Sequence, residues 1–188
     1  MKESIYLVGQ ISVDVPESYE WRKNVRRVFG TNRSFEIIDP CNNGFNQEVL
    51  KLSGQDSDRS RVYRTKGINL LVPKDRSYVE RSTMGIANMN YYDSKKLIVG
   101  SFFELAWYYD SPEKSVIGIF NGDPTKDFVC NHPFVKRAVD IWVKDEWEAC
   151  EYAIHYFQNV FTEQPSFEET RTLMARLKDL RCVEEGGN

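Results

Sequence analysis

Gly100-Ser101-Phe102-Phe103-Glu104-Leu105-Ala106-Trp107-Tyr108-Tyr109 sits between two largely apolar runs, Met84 to Asn90 and Ser115 to Phe120. Short apolar runs bounded by turn residues are what strands buried in a parallel sheet look like. The central stretch starts with Gly-Ser and carries a carboxylate three residues later, so it opens a helix expected to run to about Asp110. Strand, crossover helix and strand make one βαβ unit, and the fold class is α/β. Such sheets take their ligands beyond the carboxyl ends of the strands. Glu104 therefore stands at the mouth of the sheet. There it can act as a nucleophile, for example toward a sugar anomeric carbon, or it can cap its helix.

The same alternation extends outward. Ser4 to Gly9 reads as a buried first strand, and Pro16-Glu17 open a helix closed by Gly30. Arg22, Lys23, Arg26 and Arg27 suit the dipole of that helix's later turns. Phe35 to Ile38 is a second strand stopped by Asp39-Pro40, and Cys41 to about Thr65 is a polar connection long enough for a functional lid. Ile68 to Val72 is a brief apolar run ended by Pro73, with a helix expected over Lys74 to Thr83. A turn at Tyr92-Asp93-Ser94 precedes the Gly100 helix, and Ala138 to Val143 is the expected fifth strand. A helix over Asp145 to Phe161 aligns Trp147, Cys150, Ile154 and Phe157 on one face. The last helix, Ser166 to Leu180, starts with a Ser166/Glu169 capping pattern, and Glu184 to Asn188 is expected to fray. Five strands give a flavodoxin-like (Rossmann-like) three-layer sandwich with strand order 2-1-3-4-5. Residues 1–163 form the domain, with 164–188 a C-terminal helix and tail packed on it.

With 188 residues the length prior is one domain. A net charge of −3 lacks the basic excess of a nucleic-acid polymer binder, and leaves a small nucleoside or nucleotide ligand open. Cys41, Cys130, Cys150 and Cys182 form no C-x-x-C pair, and His132 and His155 are the only histidines, so neither metal site nor disulfide framework is expected. No run has the length of a membrane span. The expectation is a soluble cytoplasmic protein with no cofactor, no metal and no membrane partner.

In order 2-1-3-4-5 the ligand lies over strands one, three and four, against Gly9, Gln10, Asn88, Asn90, Gly100 and Ser101. Ser101 and Glu104 also match a capping box. Against that reading, the dipole at the helix start would keep Glu104 ionised, as a nucleophile must be. Asp75 can be an ordinary residue of a helix N-terminus or a carboxyl that protonates a leaving base. Tyr6 can be core or can orient Glu104. Asp93 can be a turn residue or a sugar ligand, and Phe45 a packing plug or a base-stacking ring. Asn131 and His132 can be mere turn formers. Gly9 begins no G-x-G-x-x-G, which removes a dinucleotide site.

Ile5-Tyr6-Leu7-Val8-Gly9, Ile38-Asp39-Pro40, Asp75 and Gly100-Ser101-Phe102-Phe103-Glu104-Leu105-Ala106, in this order and spacing, resemble the nucleoside 2-deoxyribosyltransferase superfamily. The resemblance spans about Ile5 to Phe161 and includes the phage-type members and the related nucleotide N-glycosidases. It implies double displacement on an N-glycosidic bond, with Glu104 as the nucleophile, Tyr6 orienting it and Asp75 handling the base's proton. It also implies a homo-oligomer with a shared pocket, a neighbouring subunit supplying Asn131. Trp142, Trp147, Tyr152 and Tyr156 are the aromatic residues expected to supply a subunit surface.

Two positions depart from the family pattern. Ile98 stands where the family has Asp or Ser six residues before the nucleophile, so either Asp93 takes the sugar contact from the longer loop or that contact is lost. Gln10-Ile11-Ser12 follow Gly9 where the N-glycosidases have Ser and Arg for a 5′-phosphate, leaving Arg22 or Arg76 as substitutes. The expected substrates are a 2′-deoxynucleoside, or its nucleotide, and a free nucleobase. Hydrolysis of the same bond is the near alternative. A non-catalytic nucleoside-binding module is the alternative of another class, and a flavin binder, lacking a Ser/Thr-rich phosphate loop, ranks last.

Overall fold

A computed structural model of the chain describes residues 2–12, 15–30, 32–42, 68–94, 98–160 and 167–185. Its middle layer is a five-stranded parallel sheet in the order β2-β1-β3-β4-β5. The strands are β1 (Glu3–Gly9), β2 (Phe35–Ile38), β3 (Met84–Asn88), β4 (Ser115–Ile119) and β5 (Ile141–Val143). The helices are α1 (Glu17–Phe29), α2 (Ile68–Arg81), α3 (Val99–Tyr109), α4 (Pro133–Ala138), α5 (Glu146–Val160) and α6 (Phe167–Glu185). This is the flavodoxin-like α/β architecture expected from the alternation of apolar runs.

Side chains alternate across a strand, and β1 feeds two cores. Ile5 and Leu7 pack with Trp21, Val25 and Phe29 of α1 and with Phe157 of α5. Tyr6 and Val8 face the other layer, with Val79 of α2, Leu105 and Tyr108 of α3 and Val135 of α4. Gly9 is in register with Asn88, and Asn88 with Ile119, so the carboxyl ends of β1, β3 and β4 finish level. Trp147, Cys150, Ile154 and Phe157 are buried on one face of α5, and Leu173 and Leu177 carry α6 into the same core.

Four boundaries differ from the sequence reading. α2 begins at Ile68 and runs through Pro73. The proline forfeits about 3 kcal/mol of helix stability, offset by packing of Tyr78 and Val79 on the second core. Residues 133–138 are helical, with Pro133 in the first turn where its fixed φ is favourable, and β5 is confined to Ile141–Val143. β3 stops at Asn88. α6 continues past Leu180, because Glu184 is held rather than frayed: it accepts hydrogen bonds from Asn24 Nδ2 (2.7 Å) and Trp147 Nε1 (3.1 Å). Among the described residues, no helix is long and apolar enough to cross a membrane.

Candidate active site

α3 begins at Val99, with Ile98 as its N-cap and no side-chain capping bond. Ser101 is thus the third helical residue and Glu104 the sixth, one turn too deep for a capping box. Glu104 instead turns inward to 8% exposure, and its Oε1 accepts the hydroxyl proton of fully buried Tyr6 at 2.5 Å. The alternation of β1 aims Tyr6 at this layer. Tyr108, one turn beyond Glu104, locks the helix to the sheet. Its hydroxyl lies 2.5 Å from Ser82 Oγ and donates to the Met84 carbonyl at 3.1 Å. Gly85 makes room for that ring, since a Cβ there would lie 2.9 Å from it.

The electrostatics reverse one expectation. Burial pushes the Glu104 carboxyl up to about 8, and the charge of Asp75 adds to this. The Tyr6 hydrogen bond and the Arg22 cation pull the other way. Desolvation in the second turn therefore outweighs the helix dipole that was expected to keep Glu104 ionised. Burial, reinforced by Glu104 and Asp75, raises the Tyr6 phenol far above its ordinary range and keeps it a hydrogen-bond donor.

Asp75 is the eighth residue of α2, not a residue of the helix N-terminus. Its Oδ1 is buried without a hydrogen-bond partner, and burial lifts the carboxyl to about 6 against the pull of Lys74 and Arg22. Burial thus lifts both carboxyls, one to about 8 and the other to about 6, and the charge of Asp75 contributes to the rise at Glu104.

Arg22, offered from the sequence as a dipole-matching residue and a substitute phosphate ligand, has a buried structural place that the sequence reading missed. It was placed among dipole-matching residues, yet it is 1% exposed. Its Nη1 donates to the Leu7 carbonyl (2.6 Å) and its Nη2 to the Gly9 carbonyl (2.9 Å), and Nη1 lies 3.7 Å from Asp39 Oδ1. Its position three residues before Val25 and seven before Phe29 puts it on the buried stripe of α1, a signal that was available. Gly9, at the end of β1, has φ +155°, and a Cβ there would lie 2.9 Å from the Asn88 carbonyl oxygen and 3.2 Å from Trp21 Cζ2. Beside Arg22, Lys23, Arg26, Asp39 and Cys41 line a polar cleft of about 350 Å³.

The other expected ligands hold the loops of this edge. Gln10 Oε1 accepts from the N–H groups of Tyr92 (2.9 Å) and Asp93 (2.8 Å), and its Nε2 donates to the Asp93 carbonyl (2.8 Å). Asn88 donates to the Tyr92 hydroxyl and accepts from the Asn90 N–H, and Asn90 Oδ1 accepts from the Asn121 N–H, each at 3.0 Å. The Asp93 carboxylate is fixed by Ser12 Oγ at 2.9 Å. Ser101 is buried; Gly100 is exposed, and nothing lies within 4 Å of where its Cβ would be. Asn131 is exposed in the loop after β4, and Phe45 lies outside the described residues. Neither arginine offered as a phosphate ligand is open at this edge. Arg22 is engaged by β1 and Asp39, and Arg76 pairs with Glu80 on the exposed side of α2 at 3.0 Å. Among the described residues, no group of three or more His, Cys, Asp or Glu is disposed to hold a metal ion.

No protein-family model and no curated protein matches the sequence. Among solved structures, the chain is similar to that of a conserved protein from Enterococcus faecalis V583, with 13% identity and a TM-score of 0.49 over 80% of this chain and 96% of that one.

Proposed function

We propose that the chain cleaves the N-glycosidic bond of a 2′-deoxynucleoside by double displacement and passes the sugar to a second nucleobase. The observation that carries this reading is the buried Tyr6–Glu104 hydrogen bond between β1 and α3, within electrostatic reach of the Asp75 carboxyl. In the first half, an oxygen of ionised Glu104 bonds to C1′ as the C1′–N bond breaks. The electron pair leaves with the base, which takes the Asp75 proton. Tyr6 holds the attacking carboxylate, and charge developing on the sugar is balanced by it, as in retaining glycosidases. In the second half, a nitrogen of the acceptor base attacks C1′, Asp75 recovers the proton and the ester electrons return to Glu104.

A nucleoside suits the edge better than its 5′-monophosphate. The fixed Asp93 carboxylate accepts a hydroxyl and repels phosphate, and Arg22 and Arg76 are already paired. Incubation of the protein with thymidine, with and without adenine, tests the reading by chromatography of the products. Deoxyadenosine formed only with adenine is the expected result. Thymine released equally in its absence would make the protein a hydrolase. Binding with neither product would make it a nucleoside-binding module. A 2-fluoroarabinosyl nucleoside should leave one sugar on the protein, mapped by digestion and mass spectrometry to the peptide holding Glu104. An adduct on Asp93 would move the nucleophile.

A further inference from the structure

β1 outruns its outer neighbour. The pairing with β2 ends at Tyr6 and Ile38, and beyond it the Arg22 guanidinium takes the carbonyls of Leu7 and Gly9. Both acceptors are neutral, so they leave the Arg22 charge uncompensated. The carboxylate beside it, Asp39, is shared. Its Oδ1 lies 3.7 Å from Arg22 Nη1 and its Oδ2 3.3 Å from Arg26 Nε. Arg22 and Asp39 have side chains 1% and 2% exposed, and Arg26 is 31% exposed. Neither Arg22 Nε nor Arg26 Nε has a hydrogen-bond partner, so the Arg26 contact is an ion pair without hydrogen-bond alignment. The cleft of about 350 Å³ beside these residues is also lined by Lys23 and Glu20, which pair with each other. Three cations therefore face two carboxylates around it. Burial pushes the Cys41 thiol up to about 11, so this lining residue adds no negative charge near neutral pH. An excess of buried positive charge is costly unless an anion completes it.

We infer that this cleft between α1 and the end of β2 binds a small oxyanion, a phosphate or a carboxylate group, on Arg26 and Lys23 with Arg22 as the deepest cation. Guanidinium groups are the donors best matched to such anions, and here two of them share one carboxylate. The volume stands at the small end of ligand sites, which run from about 300 to 1,000 Å³, and suits a compact metabolite rather than a polymer. The site is separate from the proposed catalytic one. Tyr6, Asp75, Asp93 and Glu104 do not line the cleft, and α1 packs on the layer opposite the one that Tyr6 faces. Through Arg22 the bound anion would touch the network that holds the end of β1 at Gly9.

The test is independent of the reaction, because its readout is binding. Inorganic phosphate and acetate are titrated into the full chain by calorimetry, at an ionic strength held constant with chloride. One of the two should saturate with a Kd below about 1 mM. The tighter of them identifies the ligand group as phosphate or carboxylate. Arg26→Gln should weaken that binding at least about 10-fold. Lys23→Gln, on a half-exposed side chain that folding does not need, should weaken it about 3-fold or more. Asp39→Asn removes the carboxylate that competes for the two arginines and should tighten it. No saturable binding of either anion would overturn the inference. Affinities unchanged in both Arg26→Gln and Lys23→Gln would also overturn it, since they would show an adventitious ion only.

Discussion

In the proposed reaction Glu104 combines two demands that conflict at the level of a single residue: it must be ionised to attack, and it is buried. With the carboxyl pushed from its ordinary 4.5 up to about 8 by burial, the unfolded chain releases this proton earlier than the folded one. Folding stability therefore falls as pH rises from about 4.5 to about 8 and stays lowered above that. Glu104→Gln removes the penalty. Calorimetry should show the variant melting several degrees above the wild type near pH 8.5, with the two converging near pH 5. The same variant should lose on the order of 10⁴-fold or more in kcat. A variant that retains activity would remove Glu104 from the chemistry. Asp75 makes the complementary case. Asp75→Asn should lower kcat about 10²–10⁴-fold, as loss of a general acid does, while KM stays within a few-fold. A raised KM with unchanged kcat would make Asp75 a binding residue.

At the scale of elements, the site depends on how α3 is pinned to β3. Tyr108 reaches across Gly85 to the Met84 carbonyl and Ser82, and this contact sets the rotation of the helix that presents Glu104 one turn earlier. Gly85→Ala would force a methyl group to within 2.9 Å of the Tyr108 ring. Overpacking of this kind costs about 1–3 kcal/mol, readable in urea denaturation. Because α3 must shift to relieve the contact, the variant should also lose activity although the substitution touches no group of the acid/base pair. Normal activity at reduced stability would show that the Tyr6–Glu104 bond holds the helix without Tyr108. Gln10 plays the equivalent part for the loop after β3, using its amide on the backbone of Tyr92 and Asp93. This explains why a residue at the expected ligand edge is not free to bind one.

For the whole molecule, the proposed reaction would tie the working pH range to the two carboxyls. Between about 6 and about 8 the pair holds one proton, and the higher value of Glu104 keeps it mainly there; the proposed reaction runs through the minor form, with the proton on Asp75 and Glu104 ionised. The profile of kcat/KM against pH for thymidine should be bell-shaped, with apparent pKa values near 6 and 8 that belong to the pair rather than to either residue. A rate that climbs without a maximum to about pH 10 would exclude an acid role for Asp75. Layer order was legible in the chain, because apolar runs, turn residues and strand–helix alternation are local and periodic. Gly100 to Ala106 singled out Glu104 for the same reason. The sequence by itself thus determined the sheet and its order, and offered Glu104 as the candidate carboxylate. Tertiary structure decided what surrounds it: a helix that starts before Ser101, a tyrosine 98 residues away in the chain, and a buried Arg22. It also decided that α2 survives its proline and that polar side chains near the loops are spent on loop backbone N–H groups. Desolvation and long-range hydrogen bonds depend on which distant segments meet, and periodicity along one dimension does not carry that information.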